Sequence, residues 1–222
     1  SQERLARSSD FYLSVLESFP ALIWRSGLDA KCDYFNRTWL EFTGRPLSDE
    51  LGDGWAEGVH PEDLERCIET YIRNFEARTP FEMEYRLRHH SGEYRWIIDM
   101  GRPFHGIQGE FIGFLGACFD ASERHAAAER LRLAASVFSH AREGILLTDA
   151  ETNILEVNDA FCEITGYSRS DVIGKRPGML KASRLHNQDF YQEMWGALRE
   201  HGYWQGEIWN RKKSGEVYAE LL

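Results

Sequence analysis

The feature that most constrains this chain is that it is written twice. NRTWLEFTGRPLSD (36–49) returns as NDAFCEITGYSRSD (158–171), matching Asn36/Asn158, Trp39/Phe161, Glu41/Glu163, Thr43/Thr165, Gly44/Gly166, Ser48/Ser170 and Asp49/Asp171 at one constant offset. Further on, FEMEYRLRHHSGE (81–93) lines up with WQGEIWNRKKSGE (204–216), one residue out of the first register. Two blocks in the same order and nearly in register predict a duplicated domain. At 222 residues the chain is long enough to bury a core in each copy.

Each copy reads alike. Two short strands (ALIWRS and CDYFN; GILLTDA and ILEVN) precede a short helix ending at Thr-Gly, where the glycine supplies a left-handed cap. A longer helix follows. In copy one, HPEDLERCIETYIRNF carries Pro61, Glu62 and Asp63 in its first turn and a stripe of Leu64, Cys67, Ile68, Tyr71 and Phe75. In copy two, NQDFYQEMWGALREHG places Phe190, Met194 and Leu198 on one face, with Gly202 as the stop. Next comes a hairpin whose first strand alternates with period two: Phe81, Met83, Tyr85 and Leu87 inward, Glu82, Glu84, Arg86 and Arg88 outward. Copy one adds a third strand, EFIGFLGACF, and copy two has no counterpart in this sequence. The expectation is α+β: two domains, each an antiparallel sheet with helices on one face, the second cut short before its last strand. The expected segments are an N-terminal helix (1–19, with a stripe of Tyr12, Val15, Leu16 and Phe19), domain one (20–120), a linker helix (121–141) and domain two (142–222).

The pattern NxxFxExTGYxxxDxIGK (158–175), the pieces WxxFTG and HPEDL of copy one, and the turn RKKSGExY (211–218) together resemble the PAS sensory fold, twice over. Copy two, with GKRPGMLKAS (174–183) and the W-x-G…N-R-K-x-G pattern, is similar to PAS domains of bacterial cyclic-di-GMP synthases and phosphodiesterases and of flavin redox sensors. The resemblance implies a sensory or relay module of a larger bacterial signalling protein. Its output domain would be a diguanylate cyclase or phosphodiesterase, or a histidine kinase. It also implies FAD as the first cofactor to test in domain two, and no cofactor in domain one.

The candidate site comes from comparing the two inward rows. Phe81, Met83, Tyr85 and Leu87 fill domain one, whereas Trp204, Gly206, Ile208 and Asn210 occupy the same positions in domain two. A glycine leaves space, an amide has two donors and two acceptor lone pairs, and an indole forms an apolar wall. Trp204 and Asn210, joined by Asn158 and the Met179-Leu180 pair of the PGML stretch, form the expected cofactor set. The plainer reading of Asn210 is a strand-end residue bonding backbone groups of the turn. Asp120 and Ser122, followed by Glu123, resemble the Asp-x-Ser/Thr output motif of PAS domains and are the expected relay residues. The helix behind them carries a seam of Ala127, Leu131, Ala134 and Phe138 suited to a partner helix, so a homodimer through the helices is expected. A different class of answer is a ligand-free interaction and dimerisation scaffold.

Other chemistries are not supported. There is no GxSxG, glycine-rich phosphate loop or HExxH, so no enzyme activity is expected of this segment. Glu82 and Glu84 face outward by alternation and do not make an acid–base pair. Cys32, Cys67, Cys118 and Cys162 form no CxxC pair, which argues against a zinc site or a disulfide framework. KRPGMLKAS holds no cysteine for flavin photochemistry. His60 reads as a helix cap, His89-His90 as solvated, and His186 and His201 as cap-like rather than haem ligands. A net charge of −10 opposes nucleic-acid binding. The longest apolar run, FIGFLGACF, is far short of the roughly 20 residues that cross a bilayer, so no direct membrane contact by this segment is expected, with any anchor of the parent lying outside it. The scattered cysteines suit a reducing compartment, so a cytoplasmic location is expected.

Overall fold

Strict alternation in FEMEYRLR and the long apolar β-branched and aromatic runs after it build one antiparallel sheet in the first half. The structure is a computed structural model describing residues 11, 13–182 and 185–222. Tyr12 of the N-terminal stripe and Ser183 of the GKRPGMLKAS segment lie outside the described residues. The chain divides into two units, 1–128 and 129–222.

In the first unit, β1 (Leu22–Ser26) and β2 (Cys32–Phe35) lead into α1 (Arg37–Thr43), α2 (Leu47–Glu50), a 3-10 turn (Gly54–Gly58) and α3 (Pro61–Ala77). The meander β3 (Phe81–Arg88), β4 (Tyr94–His105) and β5 (Phe111–Asp120) then runs into α4 (Ser122–His140). The strand order is β2-β1-β5-β4-β3 with every pair antiparallel. β5 is the strand that joins the early hairpin to the late one. The inward row Phe81, Met83, Tyr85, Leu87 is buried as its alternation predicts. With Trp39, Ile97, Phe114, Cys67 and Cys118 it forms the core, and each large apolar side chain buried there contributes about 1.5–3 kcal/mol.

α3 starts as its sequence dictates: His60 Nδ1 accepts from the Glu62 backbone N–H at 3.2 Å, and Pro61 occupies the first turn. The stripe differs from expectation at one place. Ile68 is exposed while Asp63 is buried, because Asp63 accepts from the Arg86 backbone N–H (2.9 Å) and guanidinium (2.9 and 3.1 Å), pinning the helix to β3. Helix periodicity alone does not reveal such a cross-element ion pair.

In the second unit, β6 (Leu146–Thr148) and β7 (Ile154–Val157) are followed by α5 (Asp159–Thr165), α6 (Arg169–Val172), a 3-10 turn (Pro177–Leu180), α7 (Gln188–His201) and the hairpin β8 (Glu207–Arg211) and β9 (Val217–Leu221). Among the described residues its strands form two separate ladders, β6-β7 and β8-β9, with no strand joining them. Its core is smaller: Ile154, Val157, Phe161, Val172 and Leu180.

The repeat is physical as well as textual. Asn36 and Asn158 each cap the helix that follows, accepting from the N–H of Trp39 and Phe161 at 3.0 Å. The same side-chain oxygen also accepts from the preceding strand segment, Ile23 N–H at 3.0 Å and Ile145 N–H at 2.8 Å. Both helices end at the predicted glycine, Gly44 at φ 67° and Gly166 at φ 74°, a conformation that costs residues with a Cβ.

Candidate functional site

A cavity of about 20 Å³ lies in the core of the first unit, lined by Trp24, Cys32, Phe35, Trp39, Trp55, Tyr71, Phe81, Met83, Tyr85 and Asp99. That is room for one or two water-sized groups, not for a flavin. The inward β3 row therefore lines a small space rather than filling it. Three of the walls brace one another: Trp24 meets Tyr71 edge-on at 5.6 Å and lies parallel to Phe81 at 6.2 Å, and Tyr71 meets Phe81 at 6.1 Å.

Asp99 is the ionisable carboxylate of this wall. It sits on β4 in phase with Ile97 and Gly101, so the pleat turns it inward. The Trp24 indole N–H donates to it at 2.9 Å and the Tyr85 hydroxyl at 3.3 Å. The thiol of Cys118, directly opposite on β5, is a further donor. Burial pushes the Asp99 carboxyl up to about 6, against these three donors, which hold it down; no cation enters the balance. Burial likewise raises the Cys32 and Cys118 thiols and the Tyr71 and Tyr85 hydroxyls, so these stay protonated. Glu50, a further buried carboxylate of this domain, is structural: it receives the Trp39 indole N–H at 3.0 Å and pairs with Arg45 at 2.9 Å.

Three residues before Asp99, on the opposite face of β4, Trp96 anchors the exit helix. The Trp96 N–H donates to Ser122 Oγ at 3.0 Å, and its carbonyl accepts from Ala121 N–H at 2.8 Å. Asp120 caps the turn, accepting from Ser122 N–H at 2.9 Å, and faces Arg95 at 3.5 Å. The His125 ring stacks on Trp96 at 4.2 Å and 7°. Glu84 receives both Arg124 and, at 2.7 Å, His125, and these partners hold its carboxyl below the usual range. The expected relay residues Asp120 and Ser122 are thus brought together. Glu123 is exposed, and its neighbours Arg124 and His125 make the contacts instead. Outward-facing Glu84 is legible from alternation, but its partnership across 41 residues is not.

The expected cofactor set of the second unit is arranged differently from its reading. Gly206 leaves no room: a Cβ there would lie 2.5 Å from the Trp204 ring, so that indole fills the space the glycine vacates. Trp204 meets Phe190 edge-on at 5.6 Å. Asn210 is buried, as the row comparison predicts, but its amide N–H donates to Glu220 Oε1 at 2.6 Å across the hairpin rather than to the turn. Asn158 gives its amide to backbone groups, including the Glu143 carbonyl at 2.9 Å. Leu180 is in the core and Met179 packs against it. With the recess filled and both amides engaged, this arrangement does not fit an isoalloxazine ring. The Trp209 N–H donates to His186 Nε2 at 2.9 Å, which leaves that histidine in a structural role.

Residues 33–118 match the family profile described as PAS fold, and residues 142–222 match that described as PAS domain. The chain is a tandem pair of PAS domains. Its first PAS domain holds the cavity and the latch to α4; its second repeats the Asn hook. Over 138 residues (62% of this chain) it is 35% identical to the uncharacterized protein y4lL of Sinorhizobium fredii. Over 83 residues (37% of this chain) it is 36% identical to a nitrogen fixation regulatory protein of Klebsiella oxytoca. It spans 17% of the length of each of these two. A solved PAS/PAC-sensor domain of a diguanylate cyclase from Marinobacter aquaeolei matches at 27% identity and a TM-score of 0.43, covering 47% of this chain and 98% of that one. These PAS domains are homologous to parts of signalling proteins. No helix among the described residues is long and apolar enough to cross a membrane.

Asp99 is the residue that sequence reading missed in the first PAS domain. The signal was present: an acid in phase with the inward row of YRWIIDMG, the same test that singled out Asn210. Trp24 and Tyr85 carried no such signal, since aromatic residues in a buried row read simply as core.

Proposed function

We propose that this chain is the sensory and relay segment of a larger signal-transduction protein, acting by binding and conformational coupling rather than catalysis. Its input is the first PAS core and its output is α4. One observation carries this reading: the wall of the cavity and the anchor of the exit helix share two strands. On β4, Asp99 faces the cavity three residues from Trp96, which holds Ser122. On β5, Cys118 faces Asp99 two residues before Asp120, which caps the same helix. A shift at Asp99 reaches α4 through covalent strand geometry, without a chain of soft contacts.

The test is amide hydrogen exchange of the whole chain, comparing wild type with Asp99→Asn. Coupling predicts altered exchange across residues 121–128, beyond the cavity walls. Unchanged exchange in α4, with changes confined to the core, would overturn it. On this reading the output domain is a diguanylate cyclase or phosphodiesterase, or a histidine kinase, as the sequence resemblance implies. A homodimer scaffold is the second reading. It is favoured by Leu131 of the α4 seam, 71% exposed, and sedimentation of the chain checks it. The second PAS domain's flavin has its own check: a colourless chain with no extractable flavin is expected, and a stoichiometric flavin spectrum would refute the filled-recess argument.

A further inference from the structure

The first PAS cavity has a composition that selects a ligand. Seven of its ten lining residues are aromatic: Trp24, Phe35, Trp39, Trp55, Tyr71, Phe81 and Tyr85. The tenth, Asp99, is a carboxylate only 3% exposed. Its partners Trp24, Tyr85 and Cys118 are all neutral donors, and no Lys, Arg or His contributes to its environment. An ionised carboxylate in such surroundings is costly without a counter-charge. Its two oxygens offer about four acceptor sites; the indole, the phenol and the Cys118 thiol take one each, which leaves about one. Aromatic faces attract cations and repel anions through their quadrupoles. The volume, about 20 Å³, limits an occupant to one or two heavy atoms.

We infer that this cavity binds a small aliphatic ammonium ion, its charge held by Asp99 and its alkyl groups by the surrounding rings. The inference deepens the reading of the first PAS domain as the input. The two fail separately: binding without a change in α4 exchange refutes the relay and keeps the site, and the reverse outcome refutes the site alone.

Methylammonium chloride is the first probe, followed by the di-, tri- and tetramethyl ions, titrated into the whole chain at about pH 8, where amine and carboxylate are both charged. Tryptophan emission and calorimetry report binding. Saturable binding of at least one ammonium is expected, with 2-propanol and tert-butanol, the neutral analogues of the middle sizes, giving none. Asp99→Asn should weaken it by at least about tenfold. Because that variant alters the buried network, Trp55→Leu is the companion. Trp55 lines the cavity at its half-buried rim, outside the Asp99 hydrogen bonds, and its loss should weaken binding several-fold with the carboxylate intact. The inference is overturned if no ammonium saturates, if the alcohols or matched potassium chloride give the same response, or if both variants bind as wild type.

Discussion

The two PAS domains share a frame and differ in what they put inside it. Leu146 pairs with Val157 where Trp24 pairs with Phe35, and Ile208 pairs with Glu220 where Tyr85 pairs with Ile97. Gly206 and Leu222 exchange backbone bonds at 3.0 and 2.9 Å, in the register of Met83 and Asp99. The polar trio Trp24, Tyr85 and Asp99 of the first domain thus becomes Leu146, Ile208 and Leu222. The second domain carries its polar group elsewhere, at Asn210 in place of Leu87, with Glu220 as partner. What stays constant are residues that satisfy or shape backbone: the Asn hooks and the glycine caps. The difference teaches that the frame tolerates a moved polar site, provided each buried group finds a partner.

The comparison breaks first at the hooks. Asn36→Ala orphans the buried N–H groups of Ile23 and Trp39 and removes donors to the Leu16 and Ala21 carbonyls. A loss of about 3–5 kcal/mol is expected in chemical denaturation. Asn158→Ala should cost somewhat less, about 2–4 kcal/mol, since its amide makes fewer bonds. Equal, negligible losses would mean that the hook is ornamental.

Asp99→Asn sharpens the contrast in the opposite direction. Burial raises this carboxyl from 3.8 to about 6 in the folded state. The native state therefore keeps its proton to higher pH than the unfolded chain does. The associated stability is full below about pH 4 and is lost as pH rises through about 6. The variant should be more stable than wild type by roughly 2–3 kcal/mol at about pH 8, and near parity at about pH 4. A pH-independent difference would contradict the buried charge. The equivalent position of the second domain, Leu222, has no such dependence to remove.

Asn210→Leu imports the first domain's residue into the second. Glu220, half-buried, loses its amide donor, and a change of about 1 kcal/mol is expected; thermal melting of the chain measures it. Smallest is Ser122→Ala, which removes the acceptor for Trp96 N–H. It should cost about 0.5–1 kcal/mol and speed exchange in the first turn of α4, with the β3–β5 amides unchanged.

Much of the fold was legible because it rests on local rules. Alternation placed Phe81, Met83, Tyr85 and Leu87 inward, and Thr-Gly ended both short helices. The same reasoning found Asn210 in the core. It went astray at Gly206, since a small residue signals space only if no neighbouring side chain folds over it, and Trp204 does. Asn158 reads as a ligand contact in the sequence because a buried amide looks available, and its backbone partners emerge only in the tertiary structure. Asp99 and the Glu84–His125 contact are harder to read, since Trp24 lies 75 residues from Asp99 and His125 lies 41 residues from Glu84 in sequence.

By itself, then, the sequence determined the duplication, the element order, the inward rows and the caps. Periodicity and backbone stereochemistry act over a few residues, so they survive being read one segment at a time. Only the tertiary structure decided where an empty space remains and which buried polar groups are already satisfied. Both depend on side chains from distant strands meeting across the core, and no single strand records what it will face.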